Sequence, residues 1–436
     1  MKESINIFWF RRDLRLEDNA GLFQALQAGK PVLLLFIFDT EILEQLPKED
    51  ARVTFIHHTL QSINKNLQSN YNSSIAMYHA KPIDVYKSLA ETYAVDTVFT
   101  NRDYEPYAKD RDTEIATFLE TKNIAFKTYK DHVIFEKDEI VKKDGKPYLV
   151  YTPYMKVWKA TFRNKSLETY GSKSLLNNAF QEKNLPNLGL KDIGFTQSSQ
   201  EIIPYQVTSN LIQNYEATRN FPAQDSTSKL GPHLRFGTVS IREMVQKAIS
   251  ESNEIFWQEL IWREFFIQIL WHFPQTLTSS FKPKYDRIVW RNNEAEFKLW
   301  CQGKTGYPLV DAGMRQLNET GFMHNRVRML VGSFLCKHLL IDWRLGEAYF
   351  AEKLHDYEMA SNVGNWQWVA GCGVDAAPYF RIFNPTTQIE KFDKKLEYIN
   401  KWVPDFQELT YPRPMVDHKE ARERCLKTYK EALNVS

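Results

Sequence analysis

Short apolar runs alternate with amphipathic stretches over the first third of the chain. INIFWF at 5–10, VLLLFIF at 32–38, SIAMYH at 74–79, DTVFTN at 96–101 and AFKTY at 125–129 predict strands. Between them, residues 22–28, 51–67, 83–93 and 108–119 repeat apolar positions at helical spacing. Near-continuous apolar runs suit strands buried on both faces, so the alternation predicts an α/β domain over 1–130 with a doubly wound, five-stranded parallel sheet. After the first strand stands RRDLRLEDN instead of a phosphate-binding GxGxxG, with Asp18 or Asn19 as a helix cap, so a dinucleotide site in this domain is unsupported.

From 131 to about 209 the chain is polar and irregular, rich in Lys, Asn, Ser and Pro, and is expected to form a surface connector, with bounds 131–205. Residues 206–436 carry long helical patterns and predict an all-α domain. Within 255–270, Glu259, Trp262, Arg263 and Phe266 fall at i, i+3, i+4 and i+7, which puts a carboxylate, an indole and a guanidinium on one face. The bland reading is a core stripe with an ion pair at its rim. Within 322–340, Asn325, Arg328 and Met329 share a face, and an Arg there needs a carboxylate partner. The stretch 362–387, NVGNWQWVAGCGVDAAPYFRIFNPTT, is too Gly-rich for a plain core helix and too aromatic for a solvated loop. On composition it is either a site or a tight packing loop.

A chain of 436 residues is long enough for two cores. Aromatics reach 14% with 11 Trp, a composition that suits a stacking pocket for a planar ligand but also fills core. The net charge of +2 advertises no global affinity for nucleic acid, so any phosphate-binding face must be local. Cys301, Cys336, Cys372 and Cys425 form no CxxC pair, which argues against zinc fingers and a disulfide framework and for free thiols. The N-terminus enters a strand-like run without a signal region, and no apolar run is long enough for a membrane, so a reducing, cytoplasmic setting is expected.

FWFRRDLRLEDNAGL at 8–22, TSKLGPHLRFGTVS at 227–240, ELIWREFF at 259–266, GKTGYPLVDAGMRQL at 303–317, HNRVRMLVGSFL at 324–335, IDWRLGEAYF at 341–350 and the stretch 362–387 together resemble the photolyase/cryptochrome family. The match runs in order over nearly the whole chain and is most similar to the class I cyclobutane pyrimidine dimer photolyases. The resemblance implies an N-terminal antenna domain and a C-terminal helical domain holding FAD. Excited reduced flavin would donate an electron to a dimer flipped out of UV-damaged DNA, single- or double-stranded, and recover it after the ring splits.

Carried over by motif, Tyr215, Thr227, Ser228, Lys229, Leu230 and Gly231 match the phosphate side of the cofactor site, Gly231 standing where the family commonly has Ser. Arg328, Asp356, Glu358 and Asn362 match its flavin side, Arg328 and Asp356 as an ion pair and Asn362 facing flavin N5. Trp262 and Trp368 match the walls of the dimer pocket, Glu259 and Asn325 its hydrogen-bonding groups, and Met329 the methionine beside the dimer. A protonated Glu259 would stabilise charge developing on the dimer. Trp366, Trp343 and Trp290 match a tryptophan triad that relays electrons to the flavin, and Arg219, Arg263, Arg326, Arg381 and Lys391 match rim positions that meet the DNA backbone.

The alternative is a cryptochrome-like photosensor, or a six-four photolyase. Met329 stands where six-four photolyases and animal cryptochromes have His, Trp368 where plant and DASH-type cryptochromes have Tyr, and Ser436 follows the helical domain closely, which is expected to leave no long signalling tail. Tyr107 and Ala108 stand where folate-binding members have an Asn-Glu pair, so the antenna chromophore stays open among folate, a deazaflavin, a second flavin or none. No metal is implied, and a monomer is expected.

Overall fold

The computed structural model describes residues 4–164 and 167–434; the few residues at the two chain ends, including Ser436, lie outside. The described chain divides into two units, one of residues 1–139, 159–205 and 230–250 and one of residues 140–158, 206–229 and 251–436. Each draws on three separate stretches, a threading that hydrophobic periodicity does not reveal.

The first unit contains the five predicted strands: β1 Ser4–Phe10, β2 Val32–Asp39, β3 Ile75–Ala80, β4 Ala94–Asn101 and β5 Ala125–Tyr129. All pair in parallel in the order β3-β2-β1-β4-β5, with Phe8 opposite Leu34 on one side and Phe99 on the other. Side chains alternate across the sheet. Phe8, Phe10, Leu34 and Phe36 enter one core, while Ile7, Trp9, Leu33 and Leu35 enter a second on the opposite face. Helices Ala20–Gln27, Ala51–Asn70, Pro82–Thr92 and Pro106–Thr121 follow the strands, close to the expected bounds. Asn19, not Asp18, caps the first, its side chain accepting from the Leu22 N–H; Asp18 instead bonds Arg242. Tyr107 donates to Asp39 at 2.6 Å and Glu41 at 3.1 Å, and Ala108 is buried.

The expected irregular connector is more ordered than its composition suggested. It carries a 13-residue helix, α1 Tyr151–Arg163, in which Tyr151, Tyr154 and Trp158 are buried. These three recur at i, i+3 and i+7, an apolar stripe masked by the surrounding Lys and Thr.

In the second unit, α2 Ser209–Thr218, α3 Ile255–His272, α4 Asn325–Ser333, α5 Trp343–Lys353 and α6 Met359–Ala370 surround the candidate site. Their core gathers Trp300, Phe334, Trp343 and Trp366. The predicted helix over 322–340 begins only at Asn325, because His324 caps it by accepting from the Arg326 N–H, and it widens into a π-helical turn at Phe334–His338. The Gly-rich stretch starts as helix despite its composition. A Cβ on Gly364 would collide with the Phe266 ring, so that glycine permits the close approach of α3 to α6. The helix ends at Gly371, whose φ of +90° lies in the left-handed region glycine favours.

All four cysteines are free thiols, Cys336, Cys372 and Cys425 being buried. Among the described residues, no helix is long and apolar enough to cross a membrane, and no group of His, Cys, Asp and Glu is placed to hold a metal ion.

Candidate active site

Helices α3, α4 and α6 of the second unit, with Phe350 of α5 and Arg219 at the end of α2, line a cavity of about 390 Å³. From α3 come Glu259, Trp262, Arg263 and Phe266, the face read from their spacing; from α4 come Asn325, Arg328, Met329 and Gly332; from α6 come Asn362, Trp366, Trp368 and Val369. Helical spacing puts the α3 set, the α4 set and Asn362, Trp366 and Val369 of α6 each on one side of its helix, whereas Trp368, two residues past Trp366, reaches the cavity from another side of α6. All five side chains expected to meet the dimer, Glu259, Trp262, Asn325, Met329 and Trp368, therefore border the same space.

The polar groups of the cavity are paired in specific ways. Arg328 grips Asp356 through two bonds of 3.1 and 2.8 Å, and its Nε donates to the Met323 carbonyl at 2.7 Å. This supplies the carboxylate partner that an Arg on that face requires. Arg263 binds Glu358 through Nε at 2.7 Å and a second nitrogen at 3.1 Å. With its side chain only 11% exposed, Arg263 is an internal ion-pair partner and not the open rim cation expected from its motif. Glu259 receives an Nη–H of Arg219, the C-cap of α2. It thus enters the site as the partner of a cation 40 residues away in the chain.

Asn362 is 9% exposed, and its Nδ2 donates to both the carbonyl and the side chain of Glu347 on α5. A backbone carbonyl only accepts, so the amide nitrogen is fixed on that side and Oδ1 is turned away from Glu347. Burial pushes the Glu347 carboxyl up, against the Asn362 bond.

Lys229, at φ +55°, lies with Nζ 4.2 Å from the Phe322 ring centroid, 2.9 Å from Thr227 Oγ1 and 3.1 Å from an Asp225 oxygen. The Ser228 carbonyl accepts from the Gln206 N–H, and Tyr215 packs edge-on against Phe256. Leu230 and Gly231 are counted with the first unit, where they open the short helix Gly231–Arg235. His324 is buried with Nδ1 accepting from Arg326, and burial, then the cations Lys229, Arg328, Arg326 and Arg219, push it down to about 3.

Trp366, Trp343 and Trp290 belong to one cluster, the first two buried and the last half-buried. The ring of Trp366 meets Phe350 at 4.9 Å and Trp300 at 6.2 Å, and Trp290 stands edge-on to Tyr429 at 6.1 Å. Arg326 lies over Phe392 at 4.5 Å and donates to Asn220, while Arg381 and Lys391 are exposed. Burial, then repulsion from Arg219 and Arg381, pushes the Arg326 guanidinium down, the signature of cations gathered at one mouth.

Sequence reasoning missed Glu347, although it lies inside the quoted IDWRLGEAYF, because nothing local marks a carboxyl that pairs with an amide 15 residues on. It also missed Tyr151, which stacks on Trp262 and lay in the stretch read as a connector.

Comparison with known proteins follows the same lines. A family model described as DNA photolyase matches residues 6–172, and one described as the FAD binding domain of DNA photolyase matches 256–410. A deoxyribodipyrimidine photo-lyase of Synechococcus is 36% identical, the alignment covering 94% of this chain and 93% of that protein. A class III photolyase of Agrobacterium tumefaciens superposes with a TM-score of 0.87 at 33% identity, over 99% of this chain and 98% of the other. An archaeal photolyase of Sulfolobus tokodaii, solved with two FAD molecules, gives a TM-score of 0.80 at 32% identity, over 98% and 99%. With both halves of the sequence matched and the cavity built from the helices that one of those matches spans, the chain belongs to the DNA photolyase family.

Proposed function

We propose that the protein is a deoxyribodipyrimidine photo-lyase that repairs cyclobutane pyrimidine dimers in UV-damaged DNA, using light absorbed by FAD bound in the cavity of the helical unit. The observation that carries this reading is the gathering of Glu259, Trp262, Asn325, Met329 and Trp368 around the space that also holds Asn362 and the Arg328–Asp356 pair.

The donor set fits FAD. A planar polar ring needs flat apolar walls and a few fixed hydrogen-bonding groups, and Phe266, Trp366 and Phe350 line the same space as Asn362 and Arg328. Arg328, Asp356, Glu358 and Asn362 would hold the ring system, and Thr227, Ser228 and Lys229, with Tyr215, the phosphates, where hydroxyl, amide and ammonium donors suit anionic oxygens. When bound and reduced, FAD supplies an electron under blue or near-ultraviolet light, and that electron returns once the dimer has split.

The chain's own residues do the rest. Trp262 and Trp368 stack on the paired bases, a contact worth about 1–3 kcal/mol per base in single-strand binders. Asn325 and Glu259 hydrogen-bond the base edges. For Glu259 this means exchanging its Arg219 contact for the lesion, which frees Arg219 for a phosphate. Met329 offers a polarizable apolar edge without a titratable proton. Arg326, Arg381 and Lys391 take phosphates, fixing position without reading sequence. Trp366, Trp343 and Trp290, gathered in one cluster, would relay electrons from an external reductant to an oxidised cofactor.

The reading brings with it a monomeric, cytoplasmic enzyme. The antenna function falls to the first unit and the catalytic function to the second, whose interleaved stretches replace the consecutive bounds 1–130, 131–205 and 206–436 expected from the sequence. Purification tests the first half directly: the protein is expected to carry FAD and to prefer a thymine-dimer duplex over the same duplex undamaged. Absence of FAD, or equal affinity for both, sinks the proposal.

A further inference from the structure

Tyr151 lies flat on Trp262. The two ring centroids are 3.6 Å apart and the planes 8° from parallel, so one face of the indole is covered. Phe265 closes one edge of the same pair at 5.6 Å from Trp262 and 5.9 Å from Tyr151. Tyr151 is 6% exposed and anchored at both ends. Its hydroxyl donates to the Gln258 carbonyl at 2.7 Å, the carbonyl that in α3 also receives the Trp262 N–H one turn later. Its backbone N–H donates to Asp375 Oδ2 at 3.1 Å, and Asp375 sits at φ +47° in the loop that follows Trp368 and α6. Burial, with the Glu259 carboxylate nearby, pushes the phenol up, so the hydroxyl stays a donor at physiological pH.

We propose that Tyr151 is a positioning residue for the lesion: its ring fixes the plane of Trp262, and its backbone bond to Asp375 fixes the spacing between Trp262 and the segment carrying Trp368. This inference rests on the dimer-repair reading above, in which those two indoles are the walls of the pocket. A stacking slot binds well only if its walls are already at the right tilt and separation, because ordering them on binding subtracts from affinity. Trp262 lies on a helix, which fixes its Cα but leaves two side-chain torsions. The parallel contact and the Gln258 bond restrict both from behind. The slot is pre-formed for a flat, double-width guest such as two stacked pyrimidines, and an undamaged backbone gains nothing from it.

The test uses FAD-loaded protein in the dark and compares affinities for a dimer-containing and an undamaged duplex. Tyr151→Leu keeps apolar bulk and removes the plate, Tyr151→Phe keeps the ring, and Asp375→Ala, at an exposed position, removes only the backbone tie. We expect Tyr151→Leu to lose the dimer preference by about tenfold at unchanged affinity for undamaged DNA, Asp375→Ala by about threefold, and Tyr151→Phe to remain within about threefold of wild type. The role of Tyr151 is overturned if Leu keeps the preference, if Leu and Phe behave alike, or if both duplexes weaken equally. Should the leucine variant not fold, the exposed Asp375→Ala variant decides, and wild-type preference in it overturns the proposal. A wild type that does not discriminate between the duplexes overturns the repair reading itself, which separates the two failures.

Discussion

The amide nitrogen of Asn362 donates to Glu347 twice, to the backbone carbonyl at 3.1 Å and to Oε1 at 2.9 Å, while burial pushes the same carboxyl up. Folding therefore holds the Glu347 proton to higher pH than the unfolded chain does, where the group titrates near 4.5. The sign follows: the stabilisation is complete below that value and is lost as pH rises through the folded one. Glu347→Gln keeps the acceptor and removes the charge, so its Tm should exceed that of wild type at pH 8 and converge on it toward pH 5. Asn362→Asp sets a carboxylate against two acceptors and should cost about 1–3 kcal/mol in denaturant unfolding.

The Arg328–Asp356 pair makes a sharper demand. Its geometry is two-pronged, with a third bond from Nε to Met323, which a lysine cannot reproduce. Both Arg328→Lys and Arg328→Ala should lower FAD retention on gel filtration by about tenfold or more, an order set by a lost charged hydrogen bond of about 1.5–3 kcal/mol. Retention in the lysine variant would show that charge alone suffices.

Arg263 and Arg381 share a motif-based expectation but not an environment, one paired with Glu358 and the other exposed. Arg381→Gln should lower the slope of log affinity against log salt by about 1 for any duplex. Arg263→Gln should leave that slope unchanged and instead destabilise the fold by about 3–5 kcal/mol, since it strands a buried carboxylate. Salt titration and chemical denaturation of the pair separate the two.

His324 and His338 are both buried and both pushed down to about 3, chiefly by burial. His338 Nε2 lies 2.8 Å from His418 Nδ1, a contact that needs one proton between the two rings. Groups neutral in the fold but protonated when unfolded cost stability as pH falls from about 6.5 toward 3. Tm should drop steadily over that interval, and His338→Gln should flatten the drop.

The extent to which these features were legible in the sequence follows from how local their causes are. The central strands announce themselves because they are apolar on both faces, as at VLLLFIFD, and the α3 face because Glu259, Trp262, Arg263 and Phe266 recur at helical spacing. Each motif also holds its own residues together, and the five side chains expected to meet the dimer border one cavity. What stayed hidden depends on partners far apart in the chain. Arg263 looked like a rim cation until Glu358, 95 residues on, was seen to hold it. The partner of Glu259 was not legible either, because Arg219 stands 40 residues before it. Tyr151 stood in a polar stretch whose apolar stripe, Tyr151, Tyr154, Trp158 and Phe162, is interrupted by Lys and Thr. Gly364 suggested a loop, whereas its missing side chain makes room for Phe266.

The most direct test of the central claim is repair itself. Reduced, FAD-loaded protein is mixed with a thymine-dimer oligonucleotide and illuminated with blue light, and recovery of absorbance at the intact thymine band is followed against a dark control and against Met329→His. The account predicts recovery by the wild type in light only, and reduced recovery by the histidine variant, whose ring replaces the apolar edge of the dimer pocket. No recovery by a wild type that holds reduced FAD and binds the oligonucleotide would contradict it and leave a cryptochrome-like photosensor as the reading.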